Sequence, residues 1–184
     1  MIRLFKNIIK VLFIKIMILK ANAFTLYKIY AKYYGVTFGK NVRITGKHIS
    51  FGGEPYLVEI GDNVTITPGV KFQTHDGGVG LFRKEYPGIN VIEKIKVGNN
   101  VFIGEDVMIM YGVTIGDNVV IGARSLVTKN IPSNSVAVGT PARVIKTFDE
   151  YKANSLKKAI FIHETNSTKR KFEIISKLQK RKSF

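Results

Sequence analysis

Valine returns every six residues at Val101, Val107, Val113 and Val119, and isoleucine follows two places on at Ile103, Ile109, Ile115 and Ile121. An earlier block keeps the period, with Val58, Val64 and Val70 followed by Ile60, Ile66 and Phe72. A helix would return its apolar residues at i+3, i+4 and i+7, and a long strand would alternate without pause. Three alternating positions followed by three turn-like ones read instead as a very short strand and a corner. The corners carry Gly, Asn and Asp, as in "IGDN" at 60–63 and again at 115–118; these residues tolerate positive φ. Three such units close a coil of about 18 residues, and stacked coils give an all-β solenoid with a β-branched interior.

The repeat stops at "FQTHDGGVG", residues 72–80, and resumes at Val97. His75 ends a strand there, and residues 76–94 leave the coil. Loops that project from a rigid scaffold are where function concentrates, and an imidazole is the side chain best suited to accept a proton near neutral pH. His75 is therefore the candidate catalytic residue. Asp76 adjoins it, but successive side chains on a strand point apart, so a backbone carbonyl is expected to orient the ring. Asp76 is kept for binding an acceptor or capping the loop. Gly77, Gly78 and Gly80 lack the lysine and the strand–helix context of a phosphate loop and read as loop flexibility.

Charge divides the chain. The formal net charge is +16, yet residues 35–147 hold twelve Lys/Arg against nine acids, whereas residues 1–34 hold seven Lys/Arg and no acid. Residues 148–184 hold ten Lys/Arg and four acids. A basic character confined to the ends argues against nucleic acid as the partner. There is no cysteine, which removes thiolate nucleophiles and Cys-based zinc sites and fits a cytoplasmic, reducing location. In residues 1–34, Arg3, Lys6, Asn7, Lys10 and Lys20 fall on one side of a helix, and Leu4, Ile8, Leu12, Ile16 and Leu19 lie mostly opposite. Such a segment suits peripheral contact with a membrane or packing on the protein; its uncharged runs are too short for a span. Residues 148–184 read as a C-terminal helix and a basic tail, with Phe172, Ile175 and Leu178 at helical spacing.

The segments "VGNNVFIG" and "GVTIGDNVVIGARSLVTKNIPSNSVAVGTPARVIK" resemble the hexapeptide-repeat acyltransferases, above all the galactoside, maltose and capsule or O-antigen sugar O-acetyltransferases. The resemblance is strong over 97–146, good over 58–75 and poor over 35–57. It implies a left-handed parallel β-helix over residues 35–147 with N- and C-terminal helices, a homotrimer with active sites between subunits, and acetyl-CoA as co-substrate. It implies His75 as general base. It maps the CoA contacts onto Glu105, Ala123, Thr128, Lys129, Arg143 and Lys146. Glu105 and Arg124 depart from the family pattern, the second replacing a glycine. Arg83 and Lys84 on the excursion are candidates for an anionic acceptor or a CoA phosphate, and Asp76 for the acceptor. His48, Ser50 and Glu54, about one coil before His75, are candidates for the acceptor side.

The activity implied is O-acetylation of a sugar hydroxyl, in a surface polysaccharide or its precursor, by direct attack on the thioester. Alternatives are N-acetylation of an amino sugar or of a drug, and a non-enzymatic membrane-associated scaffold. The zinc-dependent relatives of this solenoid need three histidines on neighbouring coils. His48, His75 and His163 do not have that spacing, so no metal is expected.

Overall fold

A computed structural model describes residues 2–182, and their side chains from 8 to 179. Arg3, Leu4, Lys6 and Asn7 of the expected N-terminal faces, and the basic end from Lys180, lie outside the described side chains. By its contacts the chain divides into the units Met1–Phe148 and Asp149–Phe184.

In the first unit the hexapeptide units fold as short strands and corners. β1 (Thr37–Phe38) and β2 (Arg43–Ile44) open the first coil. β3 (Val58–Ile60), β4 (Thr65–Ile66) and β5 (Lys71–Gln73) form the second, and β6 (Ile95–Val97), β7 (Val101–Ile103) and β8 (Met108–Met110) the third. β9 (Thr114–Ile115), β10 (Val119–Ile121) and β11 (Leu126–Val127) form the fourth, before β12 (Ser135–Gly139) and β13 (Ala142–Thr147) end the stack. Successive strands fall in three sheets, ordered β1-β3-β6-β9, β2-β4-β7-β10-β12-β13 and β5-β8-β11. Every pairing is parallel except β12 with β13. Lys96 pairs with Thr114, Val101 with Val119 and Met108 with Leu126, an interval of 18 residues on all three faces.

The period-six valines and isoleucines make the core. Val64, Val70, Val107 and Val119, and Ile66, Ile103, Ile109 and Ile121, are wholly buried. Both series point inward because a three-residue strand with ends facing in needs a corner to turn the chain before the next strand. Asn41, Asn63, Asn100, Asn118 and Asn134 make those corners with φ between 54° and 58°, and asparagine enters this region more readily than most residues. Their side chains also stack: Asn100 Nδ2 donates to Asn118 Oδ1 at 2.7 Å, and Asn118 Nδ2 to Asn134 Oδ1 at 2.9 Å. The first coil, where the resemblance is poor, already follows the scheme, with Val36, Val42 and Ile44 buried.

Two coils depart from 18 residues, and the candidate site lies where they meet. Val58 pairs with Ile95, an interval of 37, because the chain makes its excursion between them. Arg43 pairs with Thr65, an interval of 22; the first coil carries a longer corner that includes a 3-10 turn at Pro55–Leu57.

The N-terminal segment is two helices, α1 (Ile2–Lys20) and α2 (Leu26–Tyr34), rather than one. Asn22 breaks them: its Oδ1 accepts from the Phe24 amide at 2.9 Å and from the Thr25 hydroxyl at 3.1 Å, a local bond that competes with helix. α2 closes the open end of the core with Leu26, Ile29 and Tyr30. The Tyr30 ring meets Phe51 at 4.9 Å, and Phe51 stacks on Phe72 at 5.0 Å.

The second unit holds most of α3 (Phe148–Lys158), and α4 (Ser167–Lys182). The basic tail expected from the sequence is thus largely helical. Glu173 fixes the approach to α4, accepting from Lys177 Nζ at 2.7 Å and from the Glu164 amide at 3.1 Å. Phe172, Ile175 and Leu178 are exposed.

Candidate active site

His75 follows β5 at the point where the coil is interrupted. The departing and returning chains are zipped together: His75 and Ile92 form an antiparallel bridge, the Asp76 amide donates to the Val91 carbonyl at 2.9 Å, and the Glu93 amide to the Thr74 carbonyl at 3.1 Å. The histidine therefore stands on a backbone bonded to the excursion beyond it and to the stacked strands before it.

The group that faces the ring is a carboxylate from the coil below. Glu54 Oε2 lies 2.8 Å from His75 Nδ1. The same oxygen accepts from the buried Thr74 hydroxyl at 2.6 Å, and the Glu54 amide donates to Thr74 Oγ1 at 3.3 Å. The Thr74 and His75 hydrogen bonds, in that order, hold the Glu54 carboxyl below the usual carboxylate range. An ionised carboxylate only accepts, so Nδ1 donates to it, and in the neutral ring this leaves the lone pair on Nε2. His75 remains 36% exposed and Glu54 20%. This corrects the expectation of a backbone carbonyl as orienting group, and it moves Glu54 from the acceptor side to the histidine.

The longer corner of the first coil delivers Glu54, and two glycines let it approach. A Cβ at Gly52 would lie 2.5 Å from Thr74 Oγ1; one at Gly53 would lie 3.0 Å from His75 Cε1 and 3.2 Å from Nδ1. "FGGE" one coil before the histidine is the signal that sequence reasoning missed.

The Asp76 carboxylate is engaged by partners other than the ring. Its Oδ1 accepts from the Gly78 amide at 2.8 Å, capping a 3-10 turn over Gly77–Phe82. Gly77, Gly78 and Gly80 lie inside that turn. Tyr111, which the sequence did not single out, donates from its hydroxyl to Asp76 Oδ2 at 3.4 Å. The Asp76 charge, with burial, pushes the Tyr111 phenol up. Arg83 donates to Asn90 Oδ1 at 3.3 Å within the excursion, and Lys84 is exposed. His48 is exposed, and Ser50 bridges to Lys71.

The residues mapped to CoA fall in three places. Glu105 and Ala123 occupy stacked corners, where the Arg124 amide donates to the Glu105 carbonyl at 2.7 Å. Arg124 adopts φ 57° at the place of the family's glycine, and the Thr140 hydroxyl donates to its carbonyl at 3.2 Å. Thr128 and Lys129 stand exposed after β11. Arg143 and Lys146 lie on β13, paired with Val138 and Val136. Their cationic groups fit a polyanionic ligand, and Ala123 is exposed in its corner. Among the described residues, no three His, Asp or Glu side chains are grouped to hold a metal ion.

Residues 94–129 match the family model described as "Bacterial transferase hexapeptide (six repeats)". Protein CapG of Staphylococcus aureus is 42% identical over 146 residues, covering 79% of this chain and 85% of that protein. The galactoside O-acetyltransferase of Escherichia coli K12 is 49% identical over 98 residues, covering 53% of this chain and 47% of the relative, about half its length. The solved structure of a galactoside acetyltransferase in complex with coenzyme A superposes with a TM-score of 0.58 at 31% identity, covering 83% of each chain. Parallel coils with an 18-residue interval, a histidine at their interruption and these similarities lead to one assignment: the chain belongs to the hexapeptide-repeat acetyltransferase family of enzymes.

Proposed function

We propose that the chain is an acetyl-CoA-dependent O-acetyltransferase acting on a sugar hydroxyl, in a surface polysaccharide or its precursor, with His75 as general base. The observation that carries this reading is the Glu54–His75 contact at the mouth of the excursion. Glu54 accepts the Nδ1 proton and holds the ring, leaving Nε2 to take the proton from the acceptor hydroxyl as its oxygen attacks the thioester carbonyl. The carbon–sulfur bond then breaks, and the imidazolium returns its proton to the departing thiolate. Glu54 stabilises the imidazolium between these events. Thiolate is a good leaving group, so neither a metal nor a covalent enzyme intermediate is needed.

Glu105, Ala123, Thr128, Lys129, Arg143 and Lys146 hold the CoA; the CoA-bound relative of similar fold supports this. Asp76, Arg83 and Lys84 border the acceptor. The coils are left-handed, as in the family, and the enzyme is a cytoplasmic homotrimer with the excursion reaching a neighbouring subunit. The exposed Leu81, Phe82 and Tyr86 of that excursion support such a contact. Three segments divide the work: helices in 1–34, the catalytic coils and their 76–94 excursion in 35–147, and the C-terminal helical part in 148–184.

The test is thiol release from acetyl-CoA by the purified protein over a panel of sugars and amino sugars. Turnover with sugars lacking an amino group supports O-acetylation. Turnover confined to amino sugars with the acetyl group on nitrogen moves the acceptor. Absence of acetyl-CoA binding removes the proposal.

A further inference from the structure

α1 has two apolar faces, and the fold uses one of them. Ile14 is 7% exposed and, with Met17, Ile18 and Ala21, joins the core cluster. These positions recur at i, i+3, i+4 and i+7, the spacing of a seated helix face. Lys47 Nζ donates to the Leu19 carbonyl and ties the end of the helix to the first coil. Roughly 180° around the helix, Ile8 is 57% exposed, Leu12 58%, Ile16 43% and Leu19 64%. Phe24, in the turn that follows, is 62% exposed. The apolar strip, across the helix from Lys10 and bordered by Lys15 and Lys20, is thus left uncovered by the helix's own packing.

We propose that this outward face of α1 docks on the surface of an anionic lipid bilayer. Charge selects that occupant. Lys15 and Lys20 are exposed and flank the strip on either side, and residues 1–34 hold seven Lys/Arg with no acid. A second copy of this face would bring the same cations and nothing to neutralise them. An anionic bilayer supplies an apolar layer for the strip and negative headgroups for the lysines that border it. The helix lies along the surface: among the described residues, no helix is long and apolar enough to cross a membrane. The seated face keeps the coils on the aqueous side. The inference is independent of the reaction assigned above, because it concerns binding alone.

The test uses the full chain and its co-sedimentation with vesicles of phosphatidylglycerol and phosphatidylcholine, against phosphatidylcholine alone. The wild type is expected to pellet with the anionic vesicles only. Leu12→Glu combined with Leu19→Glu lowers that binding at least about tenfold, with unchanged mass by light scattering and unchanged circular dichroism. Lys15→Gln and Lys20→Gln each lower it roughly fivefold. Should the leucine variant lose its fold, the lysine variants, whose side chains are exposed, carry the test. The proposal is overturned if the wild type does not pellet with anionic vesicles, or if the folded variants bind as it does. It is also overturned if the leucine variant changes the molecular mass, since the strip would then be covered by a second copy.

Discussion

Glu54 and His75 are 21 residues apart in the chain and 2.8 Å apart in space. The stacking of one coil on the next brings them together. In the proposed mechanism Glu54 acts through the ring rather than on the substrate, as a positioning residue. Glu54→Gln is expected to lower kcat by between ~10- and ~10⁴-fold and to leave acetyl-CoA affinity near the wild type. Steady-state kinetics with a separate binding titration distinguish this from a structural role, which would weaken acetyl-CoA binding along with kcat.

The same carboxyl gives a pH dependence with a definite sign. Its pKa is held below the ordinary value of 4.5 by Thr74 and His75. A depressed carboxylate contributes stability that is present above the unfolded value and is lost as pH falls through the folded one. Denaturant melts should therefore show the wild type more stable than Glu54→Gln at neutral pH, with the difference shrinking below about pH 4.5. A difference that grew on acidification would contradict the assignment.

Gly53 permits the close approach. Alanine there puts a Cβ 3.0 Å from His75 Cε1, and the ring or the loop must shift by a few tenths of an ångström. Because small misplacements at a reacting centre are costly, Gly53→Ala should reduce turnover by about tenfold or more while acetyl-CoA binding is kept. A crystal structure of the variant checks the displacement.

The corner asparagines predict a stability effect far from the site. Asn118 holds φ 54° and bonds to Asn100 and Asn134 on either side. Asn118→Ala should destabilise by about 1–3 kcal/mol, and Asn118→Gly by less, because glycine keeps the backbone conformation at little cost. By contrast Ile109→Ala, in the filled interior, should cost about 2–5 kcal/mol. Thermal and denaturant melts rank the three.

Much of the coil was legible because Val and Ile at period six can be buried together only by turning a corner after each short strand. His75 was legible because it breaks that period. Its partner was not. Glu54 sits in a corner whose length departs from the repeat, so no periodicity relates it to His75; only the stacked coordinates do. The adjacency of Asp76 pointed to the wrong carboxylate, and strand geometry was right to set it aside. Tyr111 was missed because its partner, Asp76, is 35 residues away across the excursion. The break at Asn22 was hidden by the continuous apolar character on both sides of it. The residues mapped to CoA came from resemblance alone, because no periodicity or spacing marks them out from the rest of the coil.

The most direct measurement of the central claim is the turnover of His75→Ala with acetyl-CoA and the acceptor that the panel identifies, alongside acetyl-CoA binding. If His75 is the general base, turnover falls by about 10²–10⁴-fold while acetyl-CoA still binds. Near-wild-type turnover by His75→Ala would contradict the account.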